Sequence, residues 1–71
     1  MDSGQIVRTA RERCGLTVAE LADKAGLHFT TIYSIEKGYT SPKMDTMLRI
    51  MNALDYDIVF KPKYKGGYYG E

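Results

Sequence analysis

The chain has 71 residues, 44% of them apolar and 27% charged, with ten basic and nine acidic side chains and a formal net charge of +1. This is one domain of ordinary soluble composition, small enough that burial alone leaves it marginally stable. No run approaches the ~18 apolar residues of a membrane span, and a single cysteine, Cys14, provides neither an internal disulfide nor a cysteine metal site.

Residues 1–15 carry charges throughout and lack the apolar stretch of a secretory signal, so a cytoplasmic chain is expected. The lone Cys14 agrees with a reducing compartment. A first helix is predicted from near Gly4, capped by Ser3 or Asp2, to Cys14, where Gly15 breaks it. Ile6, Val7, Ala10 and Cys14 form its expected inner face, with Cys14 half-buried, while Arg8, Arg11, Glu12 and Arg13 face outward or sideways.

The next segment is LTVAELADKAGLHFTTIYSIEKG, residues 16–38. Thr17 followed three residues later by Glu20 is a capping box, so a second helix starts at Val18. Val18, Leu21, Ala22 and Ala25 recur at helical spacing, and Gly26 sits where a left-handed residue ends the helix. After Gly26, Leu27 and His28, a third helix runs from Phe29 to about Lys37, with Ile32 and Ile35 inward and Gly38 at its end. Two short helices joined by such a turn form a helix-turn-helix unit, whose second helix enters the DNA major groove.

Tyr39-Thr40-Ser41-Pro42 is turn-rich, and Pro42 suits a helix start. A fourth helix is predicted from Lys43 to Leu54, largely enclosed because Met44, Met47, Leu48, Ile50, Met51 and Leu54 crowd it. From Tyr56 the period changes to two, which predicts a β-strand over 56–61 that Pro62 ends. Residues 1–61 thus read as the domain and 62–71 as a flexible tail.

A lone strand leaves its backbone polar groups unpaired. Two pairings satisfy it: the same strand of a second copy, or a hairpin in which Gly66-Gly67 turns the chain back toward Tyr68 and Tyr69. The first puts Tyr56, Ile58, Val59 and Phe60 in a homodimer interface.

Gly4, Val7, Arg11, Gly15-Leu16-Thr17, Glu20-Leu21-Ala22, Lys24, Gly26, Thr31-Ile32, Ile35-Glu36, Gly38, Pro42, Met47 and Leu54 form a set. Through them, residues 4–54 resemble the Cro/C1-type (XRE) helix-turn-helix family of phage repressors and small bacterial regulators. The resemblance implies an all-α, four-helix, lambda-repressor-like domain, here with one C-terminal β-strand in place of the usual fifth helix. In that replacement the chain resembles the HipB-type antitoxins, whose dimers join through a short C-terminal sheet.

The family pattern implies an ion pair between Arg11 and Glu36 that orients the first helix against the third; the alternative is that Arg11 touches phosphate. It places His28, Phe29, Thr30, Thr31, Tyr33 and Ser34 where bases are reached. Thr17, Lys37, Tyr39, Thr40, Ser41 and Lys43 complete the expected DNA-binding set. Phe29, which cannot hydrogen-bond, either meets a thymine methyl or packs inside the domain. His28 is a poor cap that either approaches phosphate or stays an uninvolved surface residue. Two departures stand out: Val18 where many members have a phosphate-contacting Gln, and no Arg, Asn or Gln from His28 to Ser34. Readout through phosphates and DNA deformability is therefore expected to weigh heavily.

The expected function is sequence-specific double-stranded DNA binding by a transcriptional regulator. A homodimeric repressor on an inverted repeat fits best, with an autoregulating antitoxin as a further form. The rival is a protein-interaction module that binds a partner, such as a cognate toxin, through the C-terminal strand or tail. An enzyme is not expected, since one His and one Cys lie on different elements and no P-loop or dinucleotide fingerprint is present. No cofactor or metal is implied.

Overall fold

A computed structural model of the chain describes residues 2–63. Four helices follow one another: α1 (Ser3–Arg13), α2 (Val18–Ala25), α3 (Phe29–Glu36) and α4 (Met44–Ala53). None of the described helices is long and apolar enough to cross a membrane.

Local hydrogen bonds define the first two starts. Of the two cap candidates for α1, Asp2 takes the position. Its Oδ1 accepts from the Gln5 N–H at 2.9 Å while Gln5 Oε1 accepts from the Asp2 N–H at 3.2 Å. Thr17 and Glu20 close the same reciprocal pair on α2, at 3.1 and 2.9 Å. His28 and Lys43 provide no side-chain cap for α3 and α4.

All four helices end in the same six-residue closure, in which the residue after a left-handed one donates back five positions to the last turn. The bonds run from Leu16 to Arg11, Leu27 to Ala22, Tyr39 to Ser34 and Tyr56 to Met51, at 2.9–3.2 Å. Each closure needs one left-handed residue. Gly26, between α2 and α3, is one of three glycines that serve, but after α4 the position is held by Asp55 at φ 62°. Asp tolerates this conformation better than most residues yet less well than Gly. Asp55→Gly is therefore expected to raise stability by about 0.5–1 kcal/mol in urea unfolding. A lowered midpoint would show that the Asp55 side chain contributes more than its backbone costs.

The core joins Val7 and Ala10 of α1, Leu21 and Ala22 of α2, Ile32 and Ile35 of α3, and Ile50, Met51 and Leu54 from the fourth helix and its cap. Leu16, Val18, Leu27, Met47, Ala53 and Ile58 pack at its edge. Val18 is thus partly committed to packing.

Three sequence expectations are corrected. Ile6 lies at the surface rather than on the inner face, and Cys14 is exposed rather than half-buried, its thiol donating weakly to the Leu54 carbonyl at 3.6 Å. The fourth helix is not largely enclosed, because Met44 and Leu48, one turn apart, are about half exposed. α4 packs mainly on α2, so one neighbour covers only one side of it.

Residues 56–62 form no helix and pair with no other segment among the described residues. The strand expected at 56–61 needs a pairing partner, and a single chain offers none within 2–63. The Gly66-Gly67 hairpin lies outside the described residues, as does most of the 62–71 tail.

Candidate nucleic-acid interface

The turn at Gly26 sets α3 across α2, and the burial of Ile32 and Ile35 fixes which side of α3 looks out. Positions 29, 30, 33 and 37 follow at helical spacing on that side. Phe29, Thr30, Tyr33 and Lys37 are all exposed there, whereas Thr31 and Ser34 are half-buried flanking positions. His28 lies exposed at the start of α3, its carbonyl accepting from Thr31 and Ile32.

The outward face is aromatic. Phe29 and Tyr33 stack with ring centroids 5.8 Å apart and planes 17° from parallel. Tyr39, 70% exposed, meets the Tyr33 ring edge-on at 6.3 Å, and the Lys37 ammonium stands 5.5 Å from the same ring. The Phe29–Tyr33 spacing was legible in the sequence. Tyr39 joins them only because the left-handed turn at Gly38 folds its backbone N–H onto the Ser34 carbonyl, at 2.9 Å.

Thr40, Ser41 and Lys43 follow as exposed residues of the loop into α4. Thr17 is exposed at the start of α2, where its hydroxyl accepts the Glu20 N–H and keeps its own proton free to donate. Arg8, absent from the expected set, borders a cleft with Arg11, Val18, Tyr33, Glu36 and Lys37. Its signal was weak in the sequence, where it appears only as one of several outward charges on the first helix. It pairs with Glu12 at 3.3 Å, both side chains more than half exposed.

Behind this face the Arg11 guanidinium donates to both Glu36 carboxylate oxygens, at 2.7 Å from Nε and 2.9 Å from Nη2. Nη1 donates to the Leu16 carbonyl at 2.7 Å. One side chain thereby ties α1, the α1–α2 turn and the end of α3 together. The two side chains are only 13% and 7% exposed. The hydrogen bond to Glu36 holds the Arg11 pKa above its ordinary value, against the opposing effect of burial.

A recognition-type helix presented outward behind a two-helix support is the geometry of a known DNA-binding unit, and residues 7–61 match the helix-turn-helix family model. The chain belongs to the helix-turn-helix family. Similar proteins include an HTH-type transcriptional regulatory protein of Methanocaldococcus jannaschii, 34% identical over 79% of this chain and 18% of its own length. A second HTH-type transcriptional regulator, from Sinorhizobium fredii, is 36% identical over 83% of this chain and 30% of its own length. A third, from Methanothermobacter thermautotrophicus, is 41% identical over 69% of this chain and 71% of its own length. The chain thus spans well under a third of the first relative and less than a third of the second.

Proposed function

We propose that this helix-turn-helix chain is a sequence-specific double-stranded DNA-binding transcriptional regulator that works as a homodimeric repressor. The observation that carries the reading is the outward face of α3, where Phe29, Thr30, Tyr33 and Lys37 stand free while Arg11 and Glu36 hold the helix from behind. α3 enters the major groove; Thr17, Tyr39, Thr40, Ser41 and Lys43 contact phosphates beside it. The relatives' names as transcriptional regulators support the same reading.

Dimerisation rests on the segment after α4. Val59 and Phe60 are 71% and 76% exposed, an apolar pair beside backbone with no ladder partner among the described residues. Pairing 56–61 with the same strand of a second copy gives this backbone its ladder, brings Phe60, Ile58 and Tyr56 to one shared face, and sets two α3 helices roughly 34 Å apart on an inverted repeat. The same exposed pair favours a second reading, in which the segment holds a partner protein such as a toxin.

The full chain is expected to sediment as a dimer and to bind duplex DNA with an affinity that falls steeply with salt. Val59→Asp combined with Phe60→Asp should yield monomers that keep the helical fold and bind DNA at least tenfold more weakly. Absence of DNA binding even at low salt would sink the regulator reading. A charged double variant that remains dimeric would remove the strand from the interface and leave the partner-protein reading in place.

A further inference from the structure

The reading face of α3 carries its one lysine, Lys37, at the far end of the helix, and its head holds no side chain able to make a bidentate contact to guanine. No Arg, Asn or Gln lies between His28 and Ser34, and the residue at the head of the helix is Phe29, 49% exposed and without a hydrogen-bonding atom. In the major groove every base pair presents donors or acceptors, and thymine adds an apolar 5-methyl group. Phenylalanine set against guanine O6 and N7 desolvates two acceptors and returns nothing to them. Set against a thymine methyl, it removes apolar surface on both partners from water.

The ring is also held in place. Stacking at 5.8 Å on Tyr33, whose own ring is flanked by Tyr39 and the Lys37 ammonium, limits the conformations Phe29 would lose on contact. That 5.8 Å separation is less than two base steps of about 3.4 Å each, so the two rings reach neighbouring base pairs. Thr30, exposed beside Phe29, adds a methyl and a hydroxyl to the same surface.

We propose that Phe29, supported by Tyr33, recognises thymine 5-methyl groups and makes α3 selective for thymine-bearing half-sites. This rests on the DNA-binding reading above and names what that site selects.

The test uses the full chain and duplexes enriched from a random-sequence library at low salt. The enriched site is resynthesised with deoxyuridine in place of thymidine, which deletes the methyl and leaves every hydrogen-bonding group. The affinity is expected to fall about fourfold for each methyl contacted. Phe29→Ala should weaken binding to the thymine duplex and abolish the difference between thymine and uracil duplexes. Phe29→Leu, which keeps an apolar contact on a half-exposed position, should preserve part of that difference. Enrichment of a site on which uracil and thymine bind equally overturns the proposal while leaving the DNA-binding reading intact. So does a Phe29→Ala loss of the same size on both duplexes. Failure to enrich any duplex overturns both.

Discussion

Glu36→Gln is expected to lower the unfolding free energy by about 2–3 kcal/mol. The carboxylate accepts two N–H groups of Arg11 at 2.7 and 2.9 Å, and both side chains are nearly enclosed. Removing one charge leaves the other in a poorly solvated site and turns an amide N–H₂ toward a donor. Arg11→Ala should cost at least as much, because it also strips the Leu16 carbonyl of its partner. Replacing both residues with Met should restore part of the loss, since a matched apolar pair leaves no uncompensated charge. The raised Arg11 pKa gives the sign of the pH dependence. The arginine's contribution is fully present below its ordinary value and lost only as pH rises through the higher folded one, so titration of Arg11 changes nothing across the neutral range. Chemical unfolding of the four proteins at neutral pH reads these differences. A loss under ~1 kcal/mol for both single variants would rank the pair with exposed salt bridges and remove its role in orienting α3.

Gly4→Ala should destabilise by about 1–3 kcal/mol. Helix propensity alone predicts the reverse, a gain of roughly 1 kcal/mol on exchanging Gly for Ala inside a helix. Packing decides the sign. A Cβ at position 4 overlaps the Ile35 carbonyl oxygen and comes within 3.2 Å of the Glu36 carbonyl oxygen. Both obstructing atoms are backbone, which cannot rotate away as a side-chain tip would, so α1 and α3 must separate. Because the displaced end of α3 carries Glu36, the variant also loosens the Arg11 pair. Gly4→Ala and Glu36→Gln should then cost less together than the sum of their separate effects. Thermal unfolding shows this directly, at several degrees per kcal/mol for a chain of this size. A raised midpoint for Gly4→Ala would mean that α1 and α3 do not approach this closely.

The helix bounds near 3–13, 18–25 and 29–36 were legible because each is set by hydrogen bonds spanning three to five residues. Thr17 with Glu20 and the glycine at 26 announce their roles from spacing alone. Ile32 and Ile35, three apart, likewise revealed the inner side of α3. The reading failed where a residue's surroundings come from another helix. Ile6 and Cys14 share the helical phase of Val7 and Ala10, yet both remain exposed in the fold. Six apolar residues on the fourth helix read as enclosure, but α4 has one main neighbour, and Met44 and Leu48 stay open.

The candidate site divides in the same way. That Phe29 and Tyr33 share a face follows from a period of 3.6 residues, and Arg11 with Glu36 came from a family pattern. Neither source contained the near-complete enclosure of that pair, the third bond to Leu16, or Tyr39 turning onto Tyr33. Capping, periodicity and left-handed glycines act within a few bonds of the residue concerned, so the primary structure carries them unaided. Burial and the approach of Gly4 to α3 depend on segments distant in sequence meeting in space, and the aromatic surface depends on how the turn at Gly38 lays Tyr39 against Tyr33; only the folded chain brings these together.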